Sequence, residues 1–188
     1  MSLLQLLAIG KVEEELLDGL EAAIPQFFGA RCEILRRVLD PAPAFHGERR
    51  QYHSSELLQL MQGLVGLRSS RLLGVTEVDL YIPILTFVFG EAQIGGPCAV
   101  ISSYRLRQEF YGLPADQVLL RQRLLKEATH ELGHSFGLAH CDDYRCAMAS
   151  SHSVEWIDLK ESMLCVNCRQ RAAGSTQPSA SQPSHSQF

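Results

Sequence analysis

The order of apolar runs and polar breaks along the chain predicts an α/β protein. Leu3-Leu4-Gln5-Leu6-Leu7-Ala8-Ile9 is an apolar run closed by Gly10, Lys11 and Glu13–Glu15, which predicts a first strand and is too short to span a membrane. From Val12 to Phe28 the apolar positions Leu16, Leu17, Leu20, Ala23 and Ile24 recur at helical spacing, closing near Pro25 and Gly29. Arg31 to Leu39 predicts a second strand, stopped by Pro41-Ala42-Pro43. Ser54 or Ser55 is placed to cap a helix through Leu57, Leu58, Met61 and Leu64/Val65, with Gly63 and Gly66 near its end. This β-α-β-α order predicts a partly parallel sheet with crossover helices.

Between Arg71 and Leu106 the β-branched and aromatic content rises. Val75, Val78, Leu80-Tyr81-Ile82, Thr86-Phe87-Val88-Phe89 and Ala99-Val100-Ile101 are separated by Pro83, Gly90 and Gly95-Gly96-Pro97, which predicts two or three strands, some antiparallel. Gln117 to Phe136 carries the longest helical signal, with Leu120, Leu124, Ala128, Leu132 and Phe136 on one face and Gly137 at its end. From Ala172 the composition turns to Ser, Gln, Pro and Gly, so residues 171–188 are expected to form a disordered tail.

At 188 residues and 46% apolar content the chain fits one domain with a substantial core. Its 17 basic and 21 acidic residues leave a net charge of -4, which gives no footprint for nucleic acid or an anionic membrane. The pairs Arg36-Arg37 and Arg49-Arg50 read as solvated surface. No basic segment precedes the first apolar run and no cleavage site follows it, so a cytoplasmic, reducing location is expected. There, clustered cysteines bind metal more often than they form disulfides.

The long helix contains His130-Glu131-Leu132-Gly133-His134, followed by Gly137 and His140. Residues four apart on a helix differ by about 40° and rise about 6 Å, so two imidazoles can meet on one small cation. A third ligand one more turn along a straight helix would be carried past the metal. Gly137 stands where the chain must leave the helix to bring His140 back. Three neutral imidazoles leave the fourth position of tetrahedral zinc open for a water of pKa about 7, and Glu131 is placed to take its proton without ligating the metal. The pattern H-E-x-x-H alone would arise by chance in roughly one sequence of this composition in fifty; adding Gly137 and His140 lowers that to roughly one in twenty thousand.

The run from His130 to His140 reads H-E-x-x-H-x-x-G-x-x-H, and Cys141, Cys146, Met148, Cys165 and Cys168 follow. This combination resembles the archaemetzincins, metzincin-like proteases in which a four-cysteine zinc site is joined to the catalytic motif. Leu73-Gly74-Val75-Thr76, Asp79-Leu80-Tyr81 and Phe87-Val88-Phe89-Gly90-Glu91-Ala92 also look like the family, so the resemblance covers residues 1–170. It implies that Met148 lies in a turn beneath the metal and that the substrate is a peptide rather than another amide. Some metzincins place a tyrosine two residues after that methionine; here the position is Ser150, which leaves any further transition-state donor open, with Tyr144 or His152 as unassigned candidates.

The pairs Cys141-x4-Cys146 and Cys165-x2-Cys168 offer four thiolates, which suits a closed tetrahedral zinc. Two disulfides and a nucleic-acid-binding zinc ribbon are the rival readings; the reducing compartment opposes the first, and Asp142, Asp143, Glu155, Asp158 and Glu161 oppose the second. Cys32 and Cys98 have no partner pattern and are expected as buried thiols.

The expected fold is thus α/β, a mixed twisted sheet with packed helices, metzincin-like, with an upper part over residues 1–137 and a small zinc-stapled C-terminal lobe over 138–170. The expected function is zinc-dependent peptide hydrolysis by a monomer carrying two Zn2+, acting on peptide or protein and binding neither nucleic acid nor membrane. Peptide is expected to lie along an edge strand drawn from residues 84–102. A zinc deacylase or other amide hydrolase, and a catalytically silent two-zinc binding protein, are the alternatives.

Overall fold

The computed structural model describes residues 3–66 and 70–175. Its strands and helices run β1 (Leu3–Ile9), α1 (Glu14–Ala23), α2 (Pro25–Phe28), β2 (Arg31–Leu39), β3 (Phe45–His46), β4 (Gln51–His53), α3 (Ser54–Gln62), β5 (Ser70–Thr76), β6 (Leu80–Tyr81), β7 (Gly90–Ala92), β8 (Cys98–Ser102), α4 (Gln117–Ser135), α5 (Val154–Leu159) and α6 (Val166–Ser175). The main sheet has the order β2-β1-β5-β8-β7. Its first four strands are parallel, and β7 closes one edge antiparallel to β8. A small sheet β3-β4-β6 stands beside it.

Alternation along the strands divides the core into two layers. Leu4 and Leu6 of β1, Leu73 and Val75 of β5, and Ala99 and Ile101 of β8 pack against α1 and α4. Leu7 and Ile9, Leu72, and Cys98 and Val100 point the other way, onto Leu57, Leu58 and Met61 of α3. The central strands β1, β5 and β8 carry apolar residues on both faces because both faces are covered. Among the described residues no helix is long and apolar enough to cross a membrane.

Four expectations are corrected. The helical stretch from Val12 to Phe28 is two helices, because Pro25 opens a second one. Ser54 and Ser55 do not cap α3: His53 holds the cap position without a side-chain bond, and both serine hydroxyls donate instead to the Glu91 carboxylate. Thr86 to Phe89 is not a strand; only Val88 makes a bridge, to Leu80, and the edge strand begins at Gly90. Helix α6 continues through Ser175, past the expected start of the tail at residue 171, and the rest of that tail lies outside the described residues.

Helix α4 crosses the sheet and carries the sequence motif. Asp116 caps it, accepting from the Leu119 amide at 2.9 Å. Leu120, Leu124, Ala128 and Leu132 form its buried apolar ladder. Asp116→Ala is expected to lower stability by about 1 kcal/mol, the usual cost of losing such a cap, as measured by urea denaturation.

Candidate active site and metal clusters

The last two turns of α4 are polar yet buried: Glu127, His130, Glu131 and His134 are each under a tenth exposed. The helix then stops abruptly. Gly137 takes φ 87°, and its amide donates to the His134 carbonyl at 2.8 Å while Leu138 donates to Gly133 at 3.0 Å. These two bonds satisfy the terminal carbonyls and reverse the chain, so that the His140 ring reaches 5.3 Å from His130 and 4.9 Å from His134. Arg71 reinforces the helix end, donating to the Ser135 carbonyl and lying 4.9 Å over the Phe136 ring.

The protonation of two of the rings is fixed by their neighbours. His130 Nδ1 donates to the Ala147 carbonyl at 2.8 Å, and His134 Nδ1 donates to the Leu138 carbonyl at 2.7 Å. Both Nε2 atoms therefore carry lone pairs, and they face each other at 3.1 Å. Two lone pairs cannot hydrogen-bond, so the arrangement calls for a cation between them. Donor atoms on His130, His134 and His140 lie within 4.8 Å of one another. Bonds of about 2.0–2.1 Å to tetrahedral zinc place nitrogens about 3.3 Å apart, so the residues fit that ion. Burial holds the His130 imidazole well below its ordinary pKa and lowers that of His134, keeping both neutral at pH 7.

Glu131 faces the same space. Burial first, and the nearby Glu127 second, push its carboxyl well above the ordinary carboxylate range, while Lys160 opposes them. Gly90 of β7 leaves the room Glu131 occupies, for a Cβ there would stand 2.7 Å from both the Glu131 Cγ and the Val100 carbonyl. Beneath the helix lies Met148, fully buried. A Cβ on Gly133 would stand 2.3 Å from its sulfur, so the glycine inside the motif is what lets the methionine approach. A cleft of about 620 Å³ opens over these groups. The histidines and Glu131 form its floor, Ile82, Leu85, Phe87 and Ile94 its apolar wall, and Ser150 and His152 its far side. Tyr144 is 63% exposed and is not among the lining residues.

The four cysteines converge separately. One sulfur from each of Cys141, Cys146, Cys165 and Cys168 lies within 4.8 Å of the others. All are free thiols, with Cys141 and Cys165 Sγ 3.9 Å apart, near the spacing of thiolates on zinc and far from a bond. The Cys168 backbone beside Cys165 lowers that thiol's pKa, as a chelating turn would. The two other cysteines stay outside the cluster. Cys98 is buried and its pKa is raised to about 11, whereas Cys32 is only half-buried and is raised to about 12, in both cases chiefly by burial.

The sequence reading missed a buried ion pair in this cleft. Lys160 Nζ is fully enclosed and sits 2.8 Å from Glu127 Oε1. Glu127 was findable, since Glu127, His130, Glu131 and His134 share one helix face at i, i+3, i+4 and i+7. Lys160 follows Leu159 in an ordinary surface-helix pattern and gives no such signal.

A helix-borne histidine pair, a glutamate between them and a third histidine beyond a glycine break, set under a mixed α/β sheet, define a zinc hydrolase of the metzincin class. The sequence profile of peptidase family M54 matches residues 32–173. The archaemetzincin of Methanocaldococcus jannaschii is 43% identical over 160 residues, covering 85% of this chain and 87% of that protein, and that of Pyrococcus furiosus is 41% identical over 168 residues, covering 85% and 86%. The crystal structure of the Methanopyrus kandleri archaemetzincin superposes with a TM-score of 0.80 at 34% identity, over 93% of this chain and 94% of that one. A zinc-dependent peptidase from Methanocorpusculum labreanum gives 0.81 at 28% identity, over 90% and 99%. The chain belongs to peptidase family M54, the archaemetzincins, and is a zinc metallopeptidase.

The Lys160–Glu127 pair makes a stability prediction. Lys160→Met leaves the Glu127 carboxylate buried without its cation and is expected to cost about 3–5 kcal/mol, whereas Lys160→Met combined with Glu127→Leu recovers most of the loss. Urea denaturation of the three zinc-loaded proteins measures both.

Proposed function

We propose that the chain hydrolyses peptide bonds with zinc held by His130, His134 and His140 and with Glu131 as general base. The observation that carries this reading is the pair of facing Nε2 lone pairs beside a buried carboxyl. When bound there, zinc supplies a Lewis acid that lowers the pKa of a water in its open position to about 7 and polarises the scissile carbonyl. Glu131 accepts the proton of the attacking water and returns it to the departing amine. Ala147 and Leu138 hold two imidazoles in the tautomer that ligates. Met148 supports the floor from below.

Substrate lies extended along β7, the edge strand of the sheet, whose residues line the cleft. Its free edge offers backbone groups for strand addition, and the apolar wall favours a large apolar side chain beside the scissile bond. A second zinc binds Cys141, Cys146, Cys165 and Cys168 and staples residues 138–170 into a lobe beneath the cleft. That lobe has a small core of Leu138, Cys146, Ala147, Met148, Leu164 and Cys168, so the metal's binding energy there is largely folding energy.

Glu131→Gln is expected to retain zinc content and melting temperature while peptide cleavage falls at least about 100-fold; a variant with wild-type turnover would falsify the assigned base. The two metals should also separate. His134→Ala loses one zinc and all activity with a modest change in melting temperature, and Cys165→Ser loses the other zinc and destabilises the lobe. Metal analysis beside thermal melting reads both, and a Cys165→Ser protein that melts like the wild type removes the stapling role.

A further inference from the structure

Beside Tyr81, outside the cleft lining, a third set of ligating groups converges. His46 ends β3, His53 ends β4, and Glu56 lies in the first turn of α3. His46 Nε2 is 3.2 Å from one carboxylate oxygen of Glu56 and 3.3 Å from the other, and His53 Nδ1 is 3.2 Å from Glu56 Oε1. One donor atom from each of the three lies within 4.8 Å of the other two. The rings are not free to swing away. His53 stacks on Tyr81 with centroids 5.2 Å apart, and His46 meets both rings edge-on, 5.8 Å from His53 and 5.6 Å from Tyr81.

His53 gives the arrangement its direction. Both of its ring nitrogens are closed off from water and neither has a hydrogen-bond partner, so its 3.2 Å approach to Glu56 is not an in-line N–H···O bond. A neutral imidazole always carries one N–H, and burying donor and acceptor alike without partners is destabilising. Donor atoms that sit about 3.3 Å apart but aim past one another are the geometry of ligands sharing a small cation. A shallow cavity of about 340 Å³, lined by His46, Gly47, Glu48, Arg49, Tyr81 and Pro83, opens beside the exposed His46. The one guanidinium lining it is held by other partners: Arg49 donates to the carbonyls of Leu85 and Thr86 and to Gln51, and lies over the Tyr81 ring at 4.1 Å.

We propose that His46, His53 and Glu56 form a further metal site, distinct from the histidine and cysteine clusters, that takes a borderline divalent transition cation such as Zn2+. Two imidazoles and one carboxylate suit that class of ion, and water completes the shell on the exposed side. The ion clamps the β3–β4 hairpin to the start of α3. From that turn Ser54 and Ser55 hold Glu91 at the rim of the cleft, so the clamp stabilises the wall along which substrate lies.

The test is a difference in metal count and so does not depend on the catalytic reading. The full-length zinc-loaded chain and its His46→Ala and Glu56→Gln variants are dialysed against micromolar free Zn2+, and bound zinc and melting temperature are measured. The wild type is expected to hold one more zinc per chain than either variant and to gain several degrees of melting temperature that the variants do not. Equal stoichiometry and equal thermal gain in all three would overturn the site. Should a variant fail to fold, Ni2+ added to wild type that carries zinc at the histidine and cysteine clusters only decides the matter. Paramagnetic broadening of the His46 and His53 ring resonances supports the site, and sharp resonances at saturating Ni2+ exclude it.

Discussion

Everything below the sheet follows from one constraint: the last turns of α4 are buried, and their polar side chains must find partners that the helix itself does not provide. Arg123, Glu127, His130 and His134 lie along that stretch, and each is met by the chain that returns after Gly137. Asp158 grips Arg123 with two bonds of 2.8 and 2.6 Å. Lys160 faces Glu127, the Ala147 carbonyl takes the His130 proton, and the Leu138 carbonyl takes that of His134. Lys126 adds bonds to the carbonyls of Ile157 and Asp158. The segment from Leu138 to Lys160 therefore supplies the partners of the buried polar face of α4.

The same constraint explains why the two clusters share a peptide bond between His140 and Cys141. The chain has only three residues from Gly137 to reach the histidine position, and it must then turn under the helix to deliver the Ala147 carbonyl and Met148. The Cys141 amide, bonded to the Met148 carbonyl at 3.0 Å, closes that loop at its base. Cys141 and Cys146 thus flank the segment that orients His130. Cys165 and Cys168 converge on them from outside the loop, where the local apolar core is small, and the proposed second zinc would tie the four together.

Much of this was legible in the sequence. The first two strands and α4 were readable because each combines a periodic apolar pattern with a terminator that has a steric cause, such as Pro41 or Gly137. The histidine and cysteine groups were readable because chelation imposes short, fixed spacings. What escaped was settled by long-range partners. Ser54 and Ser55 look like caps, but a half-buried carboxylate 37 and 36 residues away outcompetes the helix amides for their hydroxyls. Thr86-Phe87-Val88-Phe89 has strand composition but no strand to pair with beyond one bridge, and its aromatic residues serve the cleft wall instead. Lys160 meets Glu127 from 33 positions away, and His46 joins the local His53–Glu56 pair from another strand, so no local period relates them.

The strand along which peptide would lie is only three residues long, and an edge that short cannot hold a partner in register unless its ends are fixed. The fold fixes both. Ahead of β7, the Phe89 carbonyl accepts from Ser102 at 2.8 Å, and Gly90 has its Cα against Glu131 with no side chain to push it away. Beyond it, the Gly95 amide donates to the His134 carbonyl at 2.9 Å, so the hairpin tip is bonded to the helix that carries the histidine cluster. Between them, Glu91 is held from behind by two serines of α3. The distance from a bound backbone to Glu131 is then set by bonds running directly between rim and floor, not by the stiffness of a long sheet. On the proposed reading, this bracing is what would hold a peptide laid on β7 within the tolerance that hydrolysis requires.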